Sequence, residues 1–202
     1  VYTALFWTSF GFIVGSIPFS LLVGRVFLGT DIRRYADGNP GGTNAWRAGG
    51  WRVGLIAILL DILKGWAPVF LARRYGLSDW SLTPVALAPA FGHAFSPFLK
   101  FHGGKALAAT GGAWLGLIGW KAFPIYGCLA LPVLALQNQD AVAAVAGVFG
   151  LFGYALFVAG LPYLLAISTL NLLLIIWTHR KELHQPIQFR SWAQDLFMRR
   201  GA

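Results

Sequence analysis

Charge is scarce in this chain, and acidic charge scarcer still. Of 202 residues only 11% are Asp, Glu, Lys or Arg, and just seven are acidic. That is too little to clothe a water-soluble globule of this size, which argues against a soluble domain. A single cysteine, Cys128, lies in an apolar run. This rules out an internal disulfide framework and the usual multi-cysteine metal sites, and leaves the redox compartment unread. There is no Gly-x-Ser-x-Gly elbow, no His-x-x-x-x-Asp run and no His/Glu cluster with zinc spacing, so conventional nucleophile and metal machinery is missing.

What is abundant is apolar surface and, against it, basic charge. Apolar residues make up 57% of the chain and aromatics 15%, and sixteen Lys+Arg against seven Asp+Glu give a formal charge of +9. On so apolar a chain that excess points to anionic lipid or an anionic substrate rather than nucleic acid. Residues 1–27 lack a basic n-region and read as a first span instead of a signal peptide.

A stretch of about 17–25 apolar residues crosses a bilayer. Seven candidates of that order lie between the polar clusters, at 3–27, 51–72, 82–99, 106–121, 122–137, 141–159 and 160–178. The pattern predicts an all-α integral membrane protein of about seven transmembrane helices, one domain over 1–202 with a basic tail at 179–202. The fourth and fifth candidates are divided only at Trp120–Lys121; Gly119, Lys121 and Pro124 favour two spans over one long helix or a re-entrant pair.

With seven spans, one side receives Arg25, Arg33, Arg34, Arg47, Arg52, Lys100, Lys105, Arg180, Lys181, Arg190, Arg199 and Arg200, and the other only Arg73, Arg74 and Lys121. The positive-inside rule then puts the N-terminus outside and the C-terminus in the cytoplasm.

Polar and glycine-rich sequence gathers on the cytoplasmic side in three places. The first runs from Asp31 to Arg47, where Gly38, Gly41 and Gly42 allow backbone N–H groups to converge and Asn39, Thr43 and Asn44 add donors. Such a nest suits an anion such as phosphate; an ordinary Gly/Asn/Pro surface turn is the competing reading. The second, Gly103-Gly104-Lys105, opens the fourth span and combines free N–H groups, the positive helix end and an ammonium. It is not a Walker A loop, because Leu99 takes the first glycine position and Ala106 replaces the magnesium-binding hydroxyl. A loop lysine at the headgroup level would look the same. The third, Thr178 to Glu182, carries His179 at the end of the last span, where a charged helix cap is the plainer explanation. Within the membrane, Asp61 and Lys64 lie three apart and share a helix face. Ionisable groups at mid-span are costly unless paired or wetted, so both, with His93, are expected to face the bundle interior.

A site without a strong base can still carry out acyl transfer when the substrate brings a good leaving group, since positioning and charge stabilisation then suffice. An acyl phosphate is such a substrate. Gly15-Ser-Ile-Pro18, Asp31-Ile-Arg33, Gly38-Asn-Pro-Gly-Gly-Thr-Asn44 with Arg47, Asp61-Ile-Leu-Lys-Gly65, Gly92-His93, Pro97-Phe-Leu-Lys-Phe101, Gly103-Gly-Lys105 and His179-Arg180 occur in one order along nearly the whole chain. This ordered set resembles the bacterial acyl-phosphate:glycerol-3-phosphate acyltransferases.

The resemblance implies a seven-helix inner-membrane enzyme of phospholipid synthesis. It would transfer the acyl group of an acyl phosphate to glycerol 3-phosphate, giving lysophosphatidic acid and phosphate, with no metal, cofactor or acyl-CoA. Gly38, Asn39, Gly41, Gly42, Thr43 and Asn44 match the loop that holds the acyl phosphate, with Gly103 and Gly104 beside it. Arg47, Lys105 and His179 match the residues that bind the glycerol 3-phosphate anion and orient its hydroxyl. Read from the residues themselves, Asp61, Lys64 and His93 would either form a structural ion pair or support the site. Asp37 and Glu182 stand where the family has Ser and Asn, so a carboxylate at 37 would repel substrate unless a basic neighbour neutralises it. A relative acylating another hydroxyl acceptor, a catalytically dead regulatory relative, and a lipid or anion transporter without phosphate chemistry are the other readings.

Overall fold

In the computed structural model residues 1–198 are described; Arg199 and Arg200, counted above with the basic tail, lie outside them. The described residues form helices α1 (Tyr2–Ser16), α2 (Phe19–Leu28), α3 (Gly42–Arg74), α4 (Leu82–Ala94), α5 (Leu107–Ile118), α6 (Ala122–Leu136), α7 (Asp140–Tyr154), α8 (Pro162–Thr178), α9 (Arg180–Leu183) and α10 (Ser191–Met198). Among them no strand forms beyond one bridge between Gln137 and Phe189. Among the described residues, four stretches are long and apolar enough to cross a membrane: Tyr2–Leu28, Gly42–Arg74, Leu107–Leu136 and Asp140–Ala159. The chain divides into two compact units, Val1–Lys121 and a second beginning at Ala122.

Several boundaries differ from the pattern-based ones for local reasons. The first stretch is two helices, because Pro18 lacks an N–H and leaves Ile17 extended (φ −62°, ψ 122°). The third candidate, 82–99, is α-helical only from Leu82 to Ala94, about 20 Å at about 1.5 Å per residue, and continues as a turn and a short 3-10 helix at Pro97–Leu99. The fourth and fifth candidates are separate helices, divided at Gly119, whose φ of 71° an L residue rarely adopts.

The largest departure is inside α3. Gly50 has φ 74° and ψ −174°, which ends one helical limb, residues 42–49, and starts another, 51–74. The limbs fold back on each other. A Cβ on Gly42 would collide with Ile58, and one on Gly54 would collide with Trp46, whereas a straight helix would separate residues 42 and 58 by about 24 Å. The segment from 42 to 47, read above as loop, is therefore a returning helical limb.

In the first unit the long limb of α3 packs on α5 through glycine. A Cβ on Gly65 would strike the Ala109 carbonyl oxygen and one on Gly112 the Ile62 carbonyl oxygen. Small residues allow this approach where lipid supplies no hydrophobic drive between helices. At the far end of the pair, Arg73 on α3 donates to the carbonyls of Gly116 (2.8 Å) and Leu117 (2.5 Å) at the end of α5. The two helices thus run parallel, with α4 returning between them in sequence. In the second unit α6 packs on α7, with Gly147 against the Tyr126 ring. The segment after α9 is stitched along the α6–α7 turn: Asn138 N–H donates to Gln188 O (2.9 Å) and Arg190 N–H to Leu136 O (3.0 Å).

Candidate active site

The loop from Asp31 to Gly41 is built by its own polar side chains. Asp31 accepts from the Arg33 N–H at 3.0 Å and from its guanidinium at 2.6 Å, starting the tight turn at 32–34. Ile32 is fully buried, seated where Gly24 of α2 offers no side chain. Donation from Arg33 pulls the Asp31 carboxyl down to about 2, and the same pair raises the Arg33 guanidinium. Next, Gly38 adopts φ 74°, and Asp37 Oδ1 accepts from the Asn39 N–H at 3.1 Å. Asn44, 2% exposed on the first turn of α3, reaches back with Nδ2 to Tyr35 O (3.0 Å), Asp37 Oδ1 (3.0 Å) and Asn39 O (2.9 Å). Three acceptors surround a group with two hydrogens. The Asn44 amide is thus engaged in shaping the loop.

The second glycine turn is anchored to the end of α4. Gly103 N–H donates to Ala94 O at 3.1 Å and Gly104 N–H to His93 O at 3.0 Å. Gly104 lies directly on the His93 ring, and a Cβ there would also press on Asn39 Oδ1 at 3.1 Å. The turn then delivers Lys105, whose Nζ donates to Asp37 Oδ2 at 2.6 Å. The two glycine-bearing turns, far apart in sequence, therefore meet at one carboxylate. Burial alone would raise the Asp37 carboxyl, but donation from Lys105, the Asn39 N–H and Asn44 outweighs it and holds the group below the ordinary carboxylate value.

Beneath the turns lies a buried ionic centre. Asp61 and Lys64 are 1% and 2% exposed, with Nζ 2.8 Å from Oδ1. Ser20 Oγ donates to Asp61 Oδ2 at 2.6 Å, and Lys64 Nζ donates to the Ile17 carbonyl at 2.9 Å. His93 Nδ1 stands 3.8 Å from Asp61 Oδ1. The α1–α2 break, α3 and α4 converge here, directly under Gly104.

The structure brings together Gly38, Asn39, Gly41, Asn44, Gly103, Gly104 and Lys105, with Asp61, Lys64 and His93 below them. Gly41 and Gly42 are buried, and Thr43 is exposed on the first helical turn of α3. Arg47 is exposed one turn further along the same limb. His179, in the second unit, is 4% exposed and donates Nδ1–H to Ile175 O at 2.9 Å. Sequence reasoning missed Ser20 and the Ile17 carbonyl. A signal was present in Pro18, which breaks the helix and so takes the adjoining Ile17 carbonyl out of the helical ladder. Asp37, expected to repel substrate unless a basic neighbour neutralises it, has that neighbour in Lys105, and its carboxylate joins the two turns. Among the described residues no three His, Cys, Asp or Glu side chains gather where they could share a metal ion.

Against known proteins, the sequence profile described as glycerol-3-phosphate acyltransferase matches residues 5–188. A glycerol-3-phosphate acyltransferase of Thermus thermophilus is 39% identical over 185 residues, covering 90% of each chain. Glycerol-3-phosphate acyltransferase 1 of Thermotoga maritima is 33% identical over 192 residues, covering 88% of this chain and 94% of its own. The crystal structure of PlsY, an integral membrane glycerol 3-phosphate acyltransferase, in its glycerol 3-phosphate form superposes with a TM-score of 0.82 at 31% identity, over 89% of this chain and 90% of that one. Its lysophosphatidic acid form gives 0.78 at 29%, over 89% of each.

Proposed function

The chain belongs to the glycerol-3-phosphate acyltransferase family, and from that premise we propose that it transfers the acyl group of an acyl phosphate to glycerol 3-phosphate in phospholipid synthesis. The glycerol 3-phosphate hydroxyl attacks the acyl carbonyl, a carbon–oxygen ester bond forms, and the bond to the phosphate bridge oxygen breaks. Phosphate departs with the electron pair and takes up the hydroxyl proton. The products are 1-acylglycerol 3-phosphate and inorganic phosphate.

This chemistry asks the protein for position and charge rather than for a strong base. Gly38, Asn39, Gly41, Gly42 and Thr43, with Gly103 and Gly104 opposite, line the cradle for the acyl phosphate, and Asn44 holds that loop in shape. Arg47 and Lys105 bind the glycerol 3-phosphate anion and orient its hydroxyl, while charge on the two cations offsets the charge that develops on the leaving phosphate. Asp61, Lys64 and His93 support the turns from below. The observation that carries the reading is the meeting of the two glycine turns at one point, where Asn44 and Lys105 both reach Asp37.

The same reading makes the chain one transmembrane acyltransferase domain of the bacterial inner membrane, with seven spans, the N-terminus outside, and the site and C-terminus on the cytoplasmic side. Two features support it. Within the first unit, Arg73 and Lys105 lie at opposite ends of the parallel α3–α5 pair, and Arg33 and Arg34 belong to the loop whose Asp37 meets Lys105, so they share its end.

The test is to incubate the purified protein in detergent with palmitoyl phosphate and glycerol 3-phosphate and to follow both phosphate and lysophosphatidic acid. Equimolar release of the two is expected. Phosphate release only with a different hydroxyl acceptor, or anion flux in proteoliposomes without phosphate release, would refute the assignment.

A further inference from the structure

The anion cradle already holds an anion, and it belongs to the chain itself. Asp37 Oδ1 accepts from the Asn39 N–H at 3.1 Å and from Asn44 Nδ2 at 3.0 Å, both within its own loop, while Oδ2 accepts from Lys105 Nζ at 2.6 Å. The carboxylate is therefore held in place by the loop, and the ammonium comes to it on a flexible four-carbon stem from 68 residues away. Both side chains remain partly open to solvent, 31% for Asp37 and 25% for Lys105. An ion pair at that exposure is weak enough for an incoming dianion to displace.

We propose that Asp37 is a built-in competitor for the phosphoryl group at Lys105, setting the affinity of the site for its anion and hastening the release of inorganic phosphate. The ammonium rests on Asp37 Oδ2, moves to a phosphoryl oxygen as the substrate enters, and returns to the carboxylate as phosphate departs. No backbone rearrangement is needed, because a carboxylate and a phosphoryl oxygen offer the ammonium the same kind of contact. A fixed negative charge beside the cradle also weakens every phosphate bound there, product included. The inference rests on the assignment of Lys105 as a phosphate ligand made above.

Asp37→Asn isolates the charge. The amide keeps an Oδ1 acceptor for the Asn39 N–H and Asn44, so the loop retains its bonds, and the negative charge that Lys105 meets at position 37 is lost. The probe is inorganic phosphate, used as an inhibitor of acyl transfer from palmitoyl phosphate by the intact protein. The inhibition constant is expected to fall roughly 3- to 10-fold at low salt, with KM for the phosphate-bearing substrates falling in the same direction, and the difference shrinking as salt screens the charge. Asp37→Ser, which removes the charge without isosteric packing, should shift both constants the same way. An unchanged or raised inhibition constant in both variants would overturn the proposal, since Asp37 would then be placing Lys105 for the substrate rather than competing with it. Lys105→Ala, measured in parallel, separates the two readings. If it weakens phosphate inhibition while the Asp37 variants do not strengthen it, the competitor alone fails; if it leaves phosphate inhibition unaltered, the Lys105 assignment fails and the competitor with it.

Discussion

Gly104 lies flat against the imidazole of His93: its N–H donates to the His93 carbonyl at 3.0 Å, and the space a Cβ would need is filled by Nε2 of the ring. This contact ties the turn carrying Lys105 to the end of α4 and, through His93, to the buried ionic centre of α3.

Gly104→Ala should therefore lower acyl transfer by at least about 10-fold, because moving a cationic group out of charge-assisted contact costs roughly 1.5–3 kcal/mol of transition-state stabilisation. Gly111→Ala is the control. It sits on α5 with nothing within 4 Å of its Cβ position and should leave the rate and melting temperature close to wild type. Equal effects of the two substitutions would mean that the Gly104 contact is not what places Lys105.

Arg47→Ala and Lys105→Ala should each reduce kcat/KM by at least about 10-fold, again from the loss of one charge-assisted contact to phosphate. Steady-state rates with both substrates varied would show it, and wild-type rates in both variants would remove the two residues from the site.

Lys64→Met should destabilise the protein by about 3–5 kcal/mol, since it leaves the Asp61 carboxylate buried with an unmatched charge. Combining it with Asp61→Asn removes the charge as well and should restore much of the loss, with Ser20 still able to donate to the new amide oxygen. Thermal unfolding in detergent distinguishes the cases. A double variant no more stable than the single one would show that the pair is not the source of the cost.

The Asp31–Arg33 contact makes a prediction for acid. The Asp31 carboxyl is held at about 2 by the Arg33 guanidinium, below an unfolded value of about 3.9. A depressed acid contributes stability that is complete above the unfolded value and is lost as pH falls through the folded one. Stability curves of wild type and Asp31→Asn should run parallel from about pH 5 upward and converge between about pH 4 and 2, where only wild type loses this contribution. Convergence near neutral pH would assign the effect to another group.

Much of this architecture was legible along the chain, because the physics behind it is local. Apolar stretches report on the bilayer, the three-residue spacing of Asp61 and Lys64 puts both on one helix face, and a chain short of acid shows its charge asymmetry by counting. Gly119 also divides two helices where it was read to do so, whereas the break at Pro18 inside 3–27 was not read. The returning limb of α3 was not legible. Gly49 and Gly50 look like any packing glycines in sequence, and only the Gly42–Ile58 and Trp46–Gly54 approaches show that one of them reverses the chain.

The sequence by itself determined that this is a membrane-embedded helical protein, which residues carry charge, and where glycine frees backbone N–H groups. The tertiary structure decided what those groups do to one another. Asp37, which reads along the chain as a charge that repels phosphate unless a cation neutralises it, finds that cation in Lys105 and links it to Asn44, and His93 becomes the surface on which Gly104 rests. Such contacts join residues on separate helices, so they depend on how helices pack, and packing is set by many distant side chains at once rather than by any local run of residues.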